Sequence, residues 1–214
     1  MLIQRNEKNH SINFNLTIEL ARQLERANAP IKSDPNTIYD LYINSSVEVQ
    51  NQFLHKCQFY TELIKSAIDS DIAIVNDKRF IWLTLMKLNC IPSSELMELI
   101  KDGDAVELYS MDGKLIFSNF DFCKHTTYTI EELFWFSWDK LFGREEIYMN
   151  QVMTEFIKAT SYQKPFVPKV ERHAIWEIQE GHNKKGFVEM KVFSHLKSKV
   201  NGLNYVLATS NVDS

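Results

Sequence analysis

The sequence predicts an α+β protein: a helical region over residues 1–103, then residues 104–214 as a five-stranded antiparallel sheet with short helices and one long helix. Three observations carry this. All six glycines, Gly103, Gly113, Gly143, Gly181, Gly186 and Gly202, follow residue 100. A glycine-free segment with few turn signals reads as helical, and a glycine-punctuated one reads as strands joined by tight turns. Apolar residues recur at three- and four-residue steps in the first half, whereas the second half opens on Asp112-Gly113 between apolar runs and closes on three strand-like runs.

In the first half, residues 15–28 carry Leu16, Leu20 and Leu24 among charged residues, an amphipathic helix that Ala29-Pro30 stops. Asp34-Pro35 supplies an N-cap and a first-turn proline for a shorter helix with Ile38, Leu41 and Tyr42 on one face. Residues 47–68 contain no breaker and place Phe53, Leu54, Cys57, Tyr60, Thr61, Ile64, Ala67 and Ile68 on a helical stripe. Its near-heptad spacing suits either packing within the chain or a seam with a second copy. Asp69-Ser70-Asp71 breaks that pattern, and Ile72 to Val75 reads as a short strand or a loop. Residues 77–88 are apolar nearly all round, which predicts a buried helix. Pro92-Ser93-Ser94-Glu95 restarts a short helix to Ile100, and residues 101–104 lead into the strand half.

In the second half, Asp112-Gly113 predicts a two-residue hairpin turn with Val106 and Leu108 before it and Leu115, Ile116 and Phe117 after it. Asn119 ends the second strand, and Thr129-Ile130-Glu131-Glu132 has the form of a capping box. Phe134, Trp135, Phe136 and Trp138 make an aromatic patch that reads as core filling or as a wall over a ligand. Residues 145–160 form the long helix, with Ile147, Met149, Val152, Met153, Phe156 and Ile157 on a broad face. Residues 170–179, 187–196 and 203–211 are strands, joined by turns at 180–186 and at Asn201-Gly202.

Composition narrows the function classes. A net charge of −4 disfavours direct nucleic-acid contact by phosphate neutralisation. No run of apolar residues reaches signal-peptide or membrane-span length, so a cytoplasmic protein without membrane contact is expected. Cys57, Cys90 and Cys123 are widely spaced and odd in number, which reads as reduced thiols. No phosphate-binding glycine loop, zinc-protease motif, nucleophile elbow or Cys-x-x-Cys pair occurs, so no enzyme and no catalytic residue are expected. Cys123 and His125 could meet His173, His182 or His195, but histidines scattered over a sheet read as surface or hydrogen-bonded groups, and no metal site is expected.

The ordered set Asp112-Gly113, hydrophobic strand, Asn119, then Tyr128-Thr129-x-Glu131-Glu132-Leu133 resembles the opening of a PAS domain. Thr127 stands where that pattern has glycine. The resemblance covers residues 104–214 and implies a sensory module, often dimeric, that relays a signal to an output domain such as a transcription regulator or a histidine kinase. It places any small apolar ligand between the sheet and the long helix, where Phe117, Phe122, Met149, Met153, Phe156, Trp176 and Phe193 would face it. Tightly packed, the same residues would be plain core, as in a protein-interaction adaptor. The flavin-binding subgroup carries an Asn-Cys-Arg-Phe-Leu-Gln-like run on the long helix, and haem binders often a histidine there. Residues 145–160 have neither; His125 and His173 remain the formal axial-ligand positions, and no cofactor is expected. The resemblance further implies a homodimer, or an output domain or partner protein to receive the signal.

Overall fold

In the computed structural model, which describes residues 7–213, the glycine-free half ends three of its helices on asparagine or aspartate. It contains α1 (Glu7–Arg26), α2 (Tyr39–Ile43) after a 3-10 turn at Pro35–Ile38, α3 (Val47–Asp69), α4 (Lys78–Lys87) and α5 (Ser94–Leu99). Asn28, Asp71 and Asn89, at φ of 49°, 53° and 57°, take the left-handed position that glycine usually fills after a helix. Each closes the same pair of bonds. At α1, Asn28 N–H donates to Glu25 O and Ala29 N–H to Leu24 O; at α4, Asn89 and Cys90 do the same to Met86 and Leu85. The N-termini are capped by Asp34, Ser46, Asp77 and Ser93 side chains.

The α3 stripe is consumed within the chain. Phe53, Cys57, Tyr60, Thr61, Ile64 and Ala67 are all buried, and Leu54 and Ile68 pack against the same core. Three expectations need correction. Residues 72–75 form no strand, because the left-handed residues Asp71 and Asn76 bracket them and make a loop whose Ile74 plugs the core. Helix α4 is buried on one face only: it packs Phe80, Ile81 and Leu85 inward and leaves Trp82 46% exposed. Leu41 faces solvent while Ile38 and Tyr42 are buried.

The sheet is antiparallel throughout, in the order β2-β1-β6-β5-β4-β3. Its strands are β1 (Ala105–Ser110), β2 (Leu115–Ser118), β3 (Phe142–Gly143), β4 (His173–Glu177), β5 (Lys185–Lys197) and β6 (Asn204–Asp213). Between them lie α6 (Phe120–Cys123), α7 (Ile130–Trp135), α8 (Trp138–Leu141) and the long α9 (Glu146–Ser161). The sixth strand, β3, lies where the sequence predicts only a connection. Gly143 permits it: a Cβ there would stand 2.3 Å from Trp176 Nε1 on the paired strand. The first hairpin is not a two-residue turn. Only Gly113 is left-handed, Gly113 N–H donates to Ser110 O, and Ser110 N–H donates to Lys114 O, so three residues make the connection.

Both faces of this sheet are covered. Leu108 pairs with Phe117 on one side and Leu207 on the other, and all three are buried on the face turned to α3 and α4. Tyr60 stacks on Phe117 with ring centroids 5.4 Å apart, and Phe80 lies 6.3 Å from the same ring. The Tyr60 hydroxyl donates to Ser118 O at 2.7 Å and accepts from Ser118 N at 2.8 Å. One continuous buried cluster therefore runs from α1 through the sheet. The opposite face carries Glu107, Tyr109, Ala208 and Ser210, as the period of two requires.

The capping box is present as read: Glu132 N–H donates to Thr129 Oγ1, and Thr129 N–H donates back to Glu132 Oε2 at 2.7 Å. Thr127 needs no left-handed conformation. Its N–H and hydroxyl both donate to the Glu177 carboxylate, which also accepts from Thr126 Oγ1 and Lys184 N. Burial pushes the Glu177 carboxyl up, but these donors outweigh it and hold it below the usual carboxylate range. The folded protein therefore binds this proton less readily than the unfolded chain. The stabilisation is complete above the unfolded pKa of about 4.5 and is lost as pH falls through the lower folded value. Glu177→Gln is expected to lower the melting temperature at pH 7 and to converge on the unsubstituted protein below pH ~4. A gap that stays constant from pH 7 to 3 would contradict this.

Candidate ligand cavity

Helix α9 crosses the sheet without sealing it. Of its predicted broad face, Phe156 packs edge-on to Tyr109 at 5.9 Å, while Ile147 and Ile157 are 59% and 63% exposed, so the face is narrower than the sequence suggests. Beneath α9 lies a partly enclosed cavity of about 270 Å³. Met149, Val152, Met153 and Phe156 form its α9 wall. The floor is the sheet: Ile175 from β4, Met190 and Phe193 from β5, Ala208 and Ser210 from β6. Phe122 adds to the lining.

A bulge builds that floor. Met190 pairs with Ser210 and Phe193 with Ala208, so β5 holds one residue more than β6 between these pairs. The extra residue restores both side chains to the cavity face and re-aims the strand. Lys191, within the bulge, pairs with Asp104 at 2.5 Å. Val192 and Phe193, adjacent apolar residues, point to opposite faces by the period of two, and both are buried because both faces are covered.

Five of the seven sequence-predicted residues meet here: Phe122, Met149, Met153, Phe156 and Phe193. The other two do not line the cavity. Phe117 lies on the opposite face against Tyr60, and Trp176 alternates away from its cavity-lining neighbour Ile175 to cover Gly143. Both errors are errors of strand parity, since one residue of shift exchanges the faces. The aromatic patch divides. Phe134 and Trp135 pack on Phe53 and Tyr60 as core, whereas Trp138 lines the cavity.

The polar end of the cavity is not visible in the sequence. Trp138 Nε1–H donates to Glu107 Oε1 at 2.5 Å, and the Arg144 guanidinium lies over the Trp138 ring, 4.4 Å from its centroid. Burial pushes the Glu107 carboxyl up, against the Trp138 and Tyr109 donors that favour its charge. Burial likewise raises the Tyr109 hydroxyl and pulls the Arg144 guanidinium below its ordinary value. Nε and Nη1 of Arg144 are buried without a hydrogen-bond partner among the described residues. A glutamate between Val106 and Leu108 reads in sequence as the solvent side of a strand, and a lone arginine after Gly143 has no pattern to mark it.

No histidine, cysteine or lysine is among the residues that line this cavity, and His125 and His173 stand outside it. Among the described residues, no cluster of three or more histidine, cysteine, aspartate or glutamate side chains could hold a metal ion. Nor is any described helix long and apolar enough to cross a membrane.

From β1 to β6 the chain thus has a PAS-like fold: two strands, short helices, the two-residue β3, a long helix and three closing strands, in one antiparallel sheet. Among solved structures, a variant of the Drosophila melanogaster Cycle PAS-B domain with bound glycerol aligns with a TM-score of 0.39 at 13% identity, covering 50% of this chain and 98% of that one. The wild-type Cycle PAS-B domain with bound ethylene glycol gives 0.39 at 14% identity over the same shares. The light-state dimer of the fungal blue-light photoreceptor Vivid gives 0.36 at 8% identity, covering 52% and 79%. No protein-family model matches the chain, and neither does any curated protein sequence. The assignment of the fold rests on the chain's own element order and strand pairing.

Proposed function

We propose that this chain is a sensory module whose second half binds a small molecule under α9. Its first half, packed on the far side of the sheet, passes the change to an output domain or partner protein, with a second copy of the chain as the natural relay. The observation that carries this reading is the cavity of about 270 Å³ between α9 and the sheet, walled by apolar side chains and closed at one end by Glu107, Trp138 and Arg144. Convergent polar groups in an apolar concavity are what ligand pockets have. A cavity argues against the alternative of a filled-core adaptor. A ligand that favours one placement of α9 shifts the population toward it, with no other mechanism needed.

Thermal melting with a panel of one-ring compounds tests the reading. A ligand at a hundred times its Kd adds about 2.7 kcal/mol, or roughly 5–10 °C for a chain of this size. Ala208→Leu, which extends a buried floor residue into the cavity, is expected to keep or raise the unliganded melting temperature and to abolish the ligand-induced shift. A shift that survives in Ala208→Leu, or a panel in which no compound moves the melt, would overturn it.

A further inference from the structure

We infer that the ligand is a small organic acid, one ring or short chain bearing a single carboxylate, whose carboxylate binds Arg144; this rests on the ligand-binding reading of the α9 cavity. Arg144 is the only cationic side chain in the lining of that cavity among the described residues. Its Nε and Nη1 are buried and unpaired, and a buried donor left without an acceptor is costly. The carboxylate of Glu107 does not serve it as a hydrogen-bond partner, being held instead by Trp138 Nε1–H. The guanidinium lies over the Trp138 ring, 4.4 Å from its centroid, and both residues line the cavity, where an arriving acceptor would meet the unpaired donors.

Three carboxylates bear on the charge balance. Glu107 is fully buried and biased toward its neutral form by that burial. Asp112 and Asp139 stand exposed at the mouth, where solvent screens them, and Asp112 already pairs with Lys114 Nζ at 3.1 Å. Glu107 gives its Oε1 to Trp138 rather than to Arg144, so a monoanionic head would accept from the unpaired Nε and Nη1 of Arg144. The size follows from the volume: about 270 Å³ lies below the roughly 300 Å³ at which pockets for drug-sized ligands begin. The thioethers of Met149, Met153 and Met190 line the remainder and suit a flat apolar body.

Phenylacetate, phenylacetamide and phenethylamine share one body and differ in the head group, and titration calorimetry of each on the full chain decides the matter. Phenylacetate is expected to bind at least about tenfold more tightly than the amide or the amine, and to lose about tenfold or more in Arg144→Gln. Equal or tighter binding of the amide or amine, or an unchanged phenylacetate affinity in Arg144→Gln, overturns the acid assignment and leaves the cavity as a binding site. Binding of none of the three, together with no melt shift across the wider panel, overturns both. The comparison of three probes on the unsubstituted protein stands alone if Arg144→Gln fails to fold.

Discussion

Tyr60→Ala is expected to cost about 5 kcal/mol or more in equilibrium urea unfolding, which is comparable with the whole stability of many domains. Removing a fully buried aromatic ring leaves a cavity among Phe117, Phe120 and Phe134, all of which it contacts. The same change removes the hydroxyl that meets both the N–H and the C=O of Ser118, at 2.8 and 2.7 Å. Tyr60→Phe separates the two losses: the ring stays and the backbone pair is orphaned, at about 2 kcal/mol. Because Tyr60 belongs to α3 and Ser118 to β2, helical and strand probes should report one coincident transition in each variant. A loss under ~1 kcal/mol for Tyr60→Ala, well below the usual aromatic truncation cost, would contradict the shared core.

Asn119→Ala is expected to cost about 3–5 kcal/mol, because a single buried amide satisfies several groups at once. Its Oδ1 accepts from Val106 N and Phe122 N at 2.9 and 3.2 Å, and its Nδ2 donates to Asp104 O and Asp121 Oδ2 at 2.8 and 3.3 Å. The residue therefore ends β2, caps α6 and aligns the start of β1. Asp121 extends the same network to the helical half by accepting from Asn76 N at 3.1 Å. Asn119→Asp should cost at least as much as the alanine variant, since it turns a donor into an acceptor facing two other acceptors. An aspartate variant as stable as the native protein would contradict an amide that donates to Asp104 and Asp121.

These two residues also show what sequence can and cannot convey. Asn119 is legible because its role is local: it sits between a strand and a helix start, where a short amide has few other uses. The capping box at Thr129 and Glu132 and the strand periods are legible for the same reason. Tyr60 reads only as one member of an apolar stripe, since nothing local reveals that its hydroxyl reaches a backbone group 58 positions away. Face parity is the weakest inference. Both faces of β1 are buried, so the alternation that marks an inside and an outside is missing there. A large aromatic such as Phe117 on the neighbouring strand or Trp176 on β4 reads as cavity-facing by its size when it lies on the other face. The left-handed asparagines escape a reading in which the absence of glycine means the absence of breaks. The Arg144 and Glu107 end of the cavity depends on a third residue, Trp138, carried there by its own helix.

The methionine methyl groups offer the most direct test of a ligand beneath α9. Met149, Met153 and Met190 line the cavity, while Met86 and Met97 belong to α4 and α5 on the opposite side of the sheet. In a phenylacetate titration followed by methyl NMR, the three cavity methyls should shift together along one binding curve while Met86 and Met97 move far less. Shifts at saturation confined to Met86 and Met97 would contradict a ligand site between the long helix and the sheet.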